Sequence, residues 1–417
     1  MRMAYRARHR CNIAYANSLA GSQPVPSARY CSPRIVFIDS FAHYMNTDTA
    51  TSEEHVAVLR PRTQGQHDVL FDKVQPYTAF PKVVEGPTVW QAEQFRSRRD
   101  LWTKRWSPEY IHELEEAYSM FKASRLPITA ITKDTFPLPA GVTDFLRSIR
   151  SLIVDGQGFI LIEGLPVEQW PKEKTAAVYL AIGTIFGNTL SQNHKGHVLG
   201  HVKDLGNDPT QTHKVRIYST AARQFFHTDA ADIVGLLCLH KAKEGGESDV
   251  VSAHHLWNTL QAERPDVAEL LVRPNWYFDR KGEVSEGQNG WVQKSVFYFH
   301  EGKVLSHYDP YFVKSIGRHV DAGLIPGHSK KQLEAIEILE QTAQRLALHM
   351  VLKVGDLQFV ADTHVFHART AYTDCAPPAP RRHLLRLWLA TPESQGGWRR
   401  PFKDSAHEKR GGIQVND

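Results

Sequence analysis

A histidine and an aspartate separated by one residue follow an aromatic pair near the middle of this 417-residue chain. The aromatic pair is Phe225-Phe226, the polar residues are His227 and Asp229, and an apolar run begins at Ile233. Side chains at positions i and i+2 of a β-strand point to the same face. His227 and Asp229 can therefore direct an imidazole nitrogen and a carboxylate oxygen to one point. Because the chain has 22 histidines, a polar strand end at the surface also explains such a pair.

A second group of polar residues lies far downstream. Segment 363–369 contains His364 and His367, and the apolar strand predicted after it carries Arg382 and Arg386. Two histidines and one carboxylate with open coordination positions form the ligand set of non-haem Fe(II) enzymes. The two halves together therefore predict a metal site whose ligands come from distant parts of the chain.

These motifs occur in an order that resembles the taurine/2,4-dichlorophenoxyacetate dioxygenase family of Fe(II)/2-oxoglutarate-dependent oxygenases, and within it a fungal-like member. The resemblance runs from about Gly158 to Leu389. It implies an α+β protein with a double-stranded β-helix core, a jelly-roll or cupin-like fold, and flanking helices. It also implies Fe(II) as the metal, 2-oxoglutarate and O2 as co-substrates, and release of succinate and CO2. The oxidation of a C–H bond would be a hydroxylation, a desaturation or an oxidative cyclisation.

The resemblance assigns the metal ligands. The family has its distal ligand directly before a small residue and an arginine, as in His367-Ala368-Arg369. His227, Asp229 and His367 are therefore the expected catalytic ligands, and His364 is expected to be a supporting or surface polar group. Halogenating relatives have a small residue in place of the carboxylate, so Asp229 favours hydroxylation, desaturation or cyclisation over halogenation.

The resemblance also implies the residues that bind 2-oxoglutarate. Arg382 corresponds to the arginine that binds the far carboxylate, and the planar guanidinium matches a carboxylate well. Arg381 is the alternative, because the Pro-rich loop 375–380 is longer than in the family and the alignment can shift by one. Ser248, which follows Gly245-Gly246-Glu247, corresponds to a hydroxyl residue that contacts the same carboxylate.

Four residues are candidates for substrate contacts. Arg386 corresponds to a residue that binds an acidic substrate group in taurine dioxygenase-like enzymes, and Arg223, Asn193 and Tyr218 are further candidates. The two arginines are equally explained as partners in structural ion pairs. If they contact substrate, they predict a small acidic molecule such as an amino acid, a sulfonate or a secondary metabolite.

Composition limits the partners and the location of the protein. Net charge is only +5 and no block of Lys and Arg is present, so we expect no nucleic acid as a partner. No apolar run is long enough to cross a bilayer. Four scattered cysteines without a C-x-x-C pair fit a reducing compartment, which predicts the cytoplasm. The Arg-rich, acid-poor first 38 residues are typical of either a mitochondrial transit peptide or a disordered basic tail. Relatives commonly form dimers or tetramers, so a homo-oligomer is compatible with the resemblance.

Four regions are expected along the chain. Residues 1–87 form a poorly structured basic arm, 88–157 a helical extension that packs on the core, 158–392 the dioxygenase jelly-roll domain, and 393–417 a polar tail. Helices are predicted from Pro108 to Lys122, with Ser107 as N-cap, and from Lys330 to Met350. The aromatic-rich stretch 275–317, between the two ligand segments, is expected to cover the pocket.

Two alternatives remain at this stage. A Zn-dependent cupin-type hydrolase or isomerase could use the same three ligands, but it would not need the Arg382 and Ser248 pair. A non-catalytic binding protein on a degenerate barrel is the other, and the intact ligand set argues against it because degenerate relatives usually lose a ligand.

Overall fold

The computed structural model describes residues 74–193, 195–284 and 289–401. The first 73 residues of the predicted basic arm and residues 402–417 of the predicted tail lie outside this description. Within it, the α-helices are α1 (Ala92–Arg96), α2 (Pro108–Ala123), α3 (Ala140–Val154), α4 (Lys172–Phe186), α5 (Ala253–Glu263), α6 (Pro265–Val272), α7 (Pro310–Lys314), α8 (Gly317–Asp321) and α9 (Lys330–Leu346).

Short strands fill most of the chain between these helices. They are β1 (Thr103–Arg105), β2 (Phe159–Glu163), β3 (Asn188–Thr189), β4 (Leu199–Val202), β5 (Gln224–His227), β6 (Ile233–His240), β7 (Glu244–Gly245), β8 (Ser248–Ser252), β9 (Trp276–Asp279), β10 (Trp291–Lys294), β11 (Phe297–His300), β12 (Lys303–Ser306), β13 (Leu348–Met350), β14 (Leu357–Ala361), β15 (Val365–Arg369), β16 (Tyr372–Thr373) and β17 (His383–Ala390).

Local signals set the helix ends. Ser107 Oγ accepts a hydrogen bond from the Tyr110 N–H, and Pro108 occupies the first turn, as the sequence predicts for α2. Helix α9 begins with a capping box from Ser329. It ends at Leu346, short of the predicted Met350, because Leu348–Met350 form a strand that pairs with β8. The prediction was wrong there because cross-strand pairing outweighed the helical periodicity.

Two sheets form the centre of the fold. A seven-stranded sheet has the order β1-β2-β14-β6-β17-β3, with β4 also paired to β17, and a four-stranded sheet has the order β13-β8-β15-β5. The chain alternates between them: β5, β8 and β15 belong to the small sheet, whereas β6, β14 and β17 belong to the large one. Because β5 and β15 are neighbours in the small sheet, His227 and His367 lie opposite each other although they are distant in sequence.

Helices cover the two sheets. Helices α3 and α4 contact strands of the large sheet, and α5 and α9 contact strands of the small one. Glycine at position 183 lets helix α4 lie close to the large sheet, since an added Cβ there would be only 2.8 Å from Leu387 Cδ1. Phe186 of α4 stacks on Phe359 of β14 with ring centroids 4.1 Å apart. No helix in the described ranges has both the length and the apolar composition needed to cross a membrane.

The C-terminal segment packs on the core as far as it is described. Trp398 and Arg400 are buried, although the sequence places both in a polar tail. Trp398 stacks on His364, and Arg400 Nε donates to Asp232 Oδ1 at 2.8 Å. Burial of one aromatic ring and one paired guanidinium holds a segment whose composition is otherwise polar.

Candidate active site

The three predicted metal ligands form one cluster. The ligand atoms of His227, Asp229 and His367 all lie within 4.8 Å of one another, and all three side chains are buried. His227 on β5 and His367 on β15 are direct cross-strand partners, with ring centroids 4.1 Å apart. Asp229 follows two residues after His227, where β5 has ended. Among the described residues, no other His, Cys, Asp and Glu side chains form such a group.

Backbone and side-chain groups surround the candidate ligands. His227 Nδ1 lies 2.9 Å from the carbonyl oxygen of Phe225, which fixes Nδ1–H as the donor and makes Nε2 the candidate ligand atom. Asp362 Oδ2 accepts the Asp229 N–H at 2.9 Å, and Asp362 Oδ1 lies 3.2 Å from His367 Nδ1 without a hydrogen bond between them. Asp362 therefore holds the backbone of Asp229 and lies beside the His367 ring.

The protonation states suit a divalent cation. Burial lowers the pKa of both His227 and His367, so the rings are neutral at physiological pH. Burial alone raises the pKa of Asp229, but Arg386 and the two histidines outweigh this effect, so the net pKa is lowered. Neutral imidazoles and an ionised carboxylate are the forms that bind metal. The donor set fits Fe(II).

Gln224 is a pocket residue that the sequence analysis missed. Its Nε2 lies 2.8 Å from His227 Nε2, although strict alternation would place two residues three positions apart on opposite faces. The strand pairing explains this: His367 is opposite His227, Arg369 is opposite Gln224, and the register shifts between the two pairs. A β-bulge, which inserts one extra residue into one strand, turns Gln224 to the ligand face.

One cavity extends from the ligand cluster towards Arg382. It encloses about 500 Å³ of non-atom space, and its wall includes Ser248, Arg382 and all three candidate ligands. Ser248 Oγ donates to Gln358 Oε1 at 3.0 Å, and Arg382 Nη2 donates to the Gly246 carbonyl at 3.0 Å. Arg381 is exposed instead, and it pairs with Asp204 and Asp374.

Arg369 is another buried arginine of this cavity. Within the described ranges, no hydrogen-bond partner is found for Nη1 of Arg382 or for Nε and Nη1 of Arg369. Both guanidinium groups lie over the Tyr372 ring, each 4.9 Å from its centroid. Unpaired buried donors of this kind need a ligand or an ion to satisfy them. Arg369 lies two residues after His367 on β15, so strand alternation could have identified it.

A second cavity adjoins the first. It has about 700 Å³ of non-atom space, including its open mouth, and shares Tyr218, Gln224, Asp229 and Arg386 with the first cavity. The stretch 275–317 contributes several of its wall residues, as the sequence predicts. Of the candidate ligands, Asp229 lines both cavities, whereas His227 and His367 line only the first.

Two of the four predicted substrate residues line the second cavity. Arg386 Nη1 lies 3.1 Å from Asp229 Oδ2, and its Nε donates to Gln192 Oε1 at 2.9 Å. The Tyr218 ring lies beneath this guanidinium, 4.7 Å away. Trp388, two residues after Arg386 on β17, donates to Asp229 Oδ2 at 2.8 Å. Gln192 and Trp388 were missed by the sequence analysis, although the alternation of β17 gave a signal for Trp388.

The other two predicted substrate residues lie outside both cavities. Arg223 pairs with Glu340 on α9 at 2.7 Å, and it is absent from the walls of both cavities. This is the structural ion pair that the sequence left open. Asn193 organises its own loop, because its Oδ1 accepts the Lys195 N–H at 3.0 Å. The adjacent residue Gln192 faces the cavity instead. His364 is fully buried in the turn before β15, so of the two expected roles, a supporting or a surface polar group, the surface role is wrong.

Comparisons with known proteins agree with this geometry. A family model described as "Taurine catabolism dioxygenase TauD, TfdA family" matches residues 124–388. The chain is 30% identical over 314 residues to the FR-33289 synthase of Streptomyces rubellomurinus, covering 74% of this chain and 90% of that one. It is 28% identical over 321 residues to the taurine hydroxylase-like protein SAT17 of Stachybotrys chartarum, covering 75% and 80%.

Solved structures share the fold at low sequence identity. An asparagine oxygenase in complex with Fe(II), 3-hydroxyasparagine and succinate has 15% identity and a TM-score of 0.56, covering 76% of this chain and 100% of that one. The non-heme iron oxygenase OrfP in complex with Fe and alpha-ketoglutaric acid has 15% identity and a TM-score of 0.54, covering 75% and 99%.

The protein is an enzyme of the Fe(II)/2-oxoglutarate-dependent oxygenase class, which uses Fe(II) with 2-oxoglutarate and O2 as co-substrates. Within that class the chain belongs to the TauD, TfdA dioxygenase family. The class and the co-substrates predicted from the sequence are confirmed.

Proposed function

We propose that this enzyme oxidises a C–H bond of a small acidic molecule, while 2-oxoglutarate is converted to succinate and CO2. The observation that carries the proposal is a pair of adjoining cavities that share Asp229. One contains all three candidate ligands with Arg369 and Arg382, and the other extends to residues of the stretch 275–317. Co-substrate and substrate can then each reach the ligand cluster from a different cavity.

In this proposal His227, Asp229 and His367 hold the iron, which supplies O2 activation coupled to decarboxylation of 2-oxoglutarate. The protein's own contribution is geometry and electrostatics. The Phe225 carbonyl orients the His227 ring, Asp362 holds the backbone of Asp229, and Arg386 keeps Asp229 ionised. Supporting contacts of this kind tune metal affinity.

Arg382 and Ser248 bind the far carboxylate of 2-oxoglutarate in this proposal. The orphaned Nη1 of Arg382 is a ready donor, and the apolar side chains Leu236 and Leu384 line the same cavity. A dry wall strengthens an ion pair, because fewer waters screen the two charges. Arg386 and Tyr218 are then proposed to contact the substrate.

The finer architecture follows from strand order. Because successive strands alternate between the two sheets, we infer that they form a double-stranded β-helix, with 158–392 as the dioxygenase domain and 88–157 as its extension. The substrate class remains the one predicted from the sequence: an amino acid, a sulfonate or a secondary metabolite. A cytoplasmic location and a homo-oligomer remain predictions, and the transit-peptide alternative concerns residues outside the described ranges.

Anaerobic titration with Fe(II) and 2-oxoglutarate tests the proposal. We expect a weak metal-to-ligand charge-transfer band in visible light that disappears on addition of O2 and is absent in Asp229→Ala. Absence of the band from the wild-type protein, with zinc retained tightly instead, would contradict the proposal. A screen of small acids for increased 2-oxoglutarate consumption would then identify the substrate.

Gly246→Ala should weaken 2-oxoglutarate binding without touching the metal ligands. Gly246 has φ of +76°, and an added Cβ would lie 2.6 Å from Arg382 Nε, so the guanidinium must move. We expect KM for 2-oxoglutarate to rise by about tenfold or more, since small displacements of a binding group are costly.

Gly302→Ala is the matched control. Gly302 has φ of +77°, but nothing lies within 4 Å of an added Cβ, so it carries the backbone strain alone. Both variants should lose a few degrees in Tm, roughly the effect of 1 kcal/mol in a domain of this size. Equal changes of KM in both variants would show that strain, and not contact with Arg382, is responsible.

A further inference from the structure

In the proposed function the first cavity, with Arg382, is the co-substrate cavity, and the second is the substrate cavity. The wall of the substrate cavity carries more positive charge than 2-oxoglutarate and O2 require. Lys281, Lys294 and Arg216 line this cavity and are absent from the wall of the co-substrate cavity. Lys281 lies in the turn after β9, Lys294 ends β10, and Arg216 precedes the short 3-10 turn Ile217–Ser219. Three basic side chains from three positions in the chain thus lie on the part of the wall that the co-substrate cavity does not share.

In the described part of the chain the two lysines have no ion-pair partner, although one acid acts on both of them. Within the described ranges no carboxylate lies within ion-pair distance of Lys281 Nζ or Lys294 Nζ, whereas Arg216 pairs with Glu283 at 3.3 Å. Lys294 is only 4% exposed, and its ammonium group lies 4.1 Å from the centroid of the Phe278 ring. Asp309, the acid of the wall besides the candidate ligand Asp229, partly offsets the charge of both lysines and accepts the Tyr311 N–H.

Lys294 is buried and Lys281 is half-buried, and burial of an unpaired lysine is costly because the ammonium group loses hydration without gaining a close counter-ion. Burial accordingly lowers the pKa of Lys281 to about 8 and the pKa of Lys294 to about 7. An arrangement that destabilises the empty protein indicates a ligand that supplies the missing negative charge.

Arg386, the arginine proposed to contact the substrate, is partly engaged by the protein. Its Nη1 lies beside Asp229 and its Nε donates to Gln192, so two of its three side-chain nitrogens already have protein partners. The lysines differ in chemistry as well as in position. An ammonium group acts as a point charge with freely rotating donors and suits a tetrahedral oxyanion, whereas a planar carboxylate is matched by an arginine fork.

We propose that Lys281, Lys294 and Arg216 bind a doubly charged phospho group of the substrate, a phosphonate or a phosphate ester, at the part of the cavity wall that the co-substrate cavity does not share. This inference rests on the proposed function and specifies its substrate class. A phospho group presents three acceptor oxygens and close to two negative charges, which matches three donors and two unpaired ammonium groups. The C–H bond to be oxidised then lies between this group and the ligand cluster.

The test uses the full chain, loaded anaerobically with Fe(II) and saturating 2-oxoglutarate so that the co-substrate cavity is filled. Methyl phosphate is titrated into this complex by calorimetry, and methyl sulfate, of the same shape with one negative charge fewer, is the matched ligand. We expect methyl phosphate to bind at least about tenfold more tightly than methyl sulfate, since one additional ion pair is worth at least that factor.

Lys281→Met and Lys294→Met should each weaken methyl phosphate binding by about tenfold or more. Lys303→Met removes a lysine of the same insert that lines neither cavity, so its affinity should stay within about twofold of wild type. Both cavity variants should fold with unchanged or higher Tm, because an unpaired buried charge is replaced by an apolar side chain. Lys294→Gln is a second variant in case methionine disturbs the wall.

The outcomes separate this inference from the proposed function. If the charge-transfer band is absent from the wild-type protein, the proposed function fails. If the band is present but methyl phosphate does not bind, binds no better than methyl sulfate, or binds the Lys281→Met, Lys294→Met double variant as well as wild type, the phospho subsite is wrong. Where it does bind, methylphosphonate in place of methyl phosphate, followed by 2-oxoglutarate turnover with larger members of each class, distinguishes phosphonate from phosphate ester.

Discussion

His367→Ala should remove detectable turnover while leaving the fold nearly intact. Loss of one of three protein ligands weakens iron binding and costs several kcal/mol of metal-derived stabilisation, so we expect a fall in kcat/KM on the order of 10³-fold or more. The ring packs beside His227 in the cavity and not in the main apolar core, so the loss in Tm should be small. Iron content, the charge-transfer band and 2-oxoglutarate consumption are the measurements.

His364→Ala provides a matched control three residues earlier. The His364 ring is fully buried against Trp398, with ring centroids 4.7 Å apart, and it lies outside the ligand cluster. This variant should lose stability, by about 1–3 kcal/mol for a buried ring with a polar partner, and still bind iron. Wild-type turnover in His367→Ala, or loss of iron only in His364→Ala, would overturn the ligand assignment.

Arg382→Met should raise KM for 2-oxoglutarate by roughly 10²-fold, because removing one partner of a buried ion pair costs about 2–5 kcal/mol. Its kcat at saturating co-substrate should change much less, since the group binds a part of 2-oxoglutarate that does not react. Steady-state kinetics with varied 2-oxoglutarate measure both parameters.

Arg381→Met is the internal comparison. Arg381 is exposed and pairs with Asp204 at 2.7 Å and Asp374 at 3.1 Å, contacts of a kind worth little at a surface. KM for 2-oxoglutarate should therefore stay within about twofold of wild type. A large effect in Arg381→Met alone would mean that the alignment through the Pro-rich loop is displaced by one residue.

The sequence indicated residues that the structure brings together where short-range geometry decides the outcome. His227 and Asp229 lie two positions apart at the end of β5, Arg382 directly precedes β17, and Arg386 lies within it. Sequence reasoning was insufficient where a distant partner decides the outcome. Arg223 pairs with Glu340, 117 positions away, and no local pattern distinguishes that ion pair from a substrate contact.

Local irregularities account for the remaining differences. The bulge in β5 turns Gln224 to the ligand face, and periodicity cannot reveal an inserted residue. Lys281 and Lys294 lie in an insert whose aromatic content indicated a cover over the pocket, but both belong to the β9–β10 hairpin, and their place on the cavity wall depends on how that hairpin packs. Trp398 and Arg400 lie in a polar segment in which two individual side chains determine burial.

The hydrogen bonds between Thr228 and Tyr308 affect how this enzyme can be re-engineered. Thr228 lies between two of the candidate ligands, its N–H donates to the Tyr308 carbonyl at 2.7 Å, and the Tyr308 N–H donates back to Thr228 Oγ1 at 2.9 Å. The insert that carries the substrate-facing lysines is thus fastened directly to the ligand loop. A chimera that takes the insert from a relative should have its C-terminal junction before residue 307. The donor segment then changes selectivity, while Thr228 and Tyr308 both come from the recipient and keep their hydrogen bonds beside its iron site.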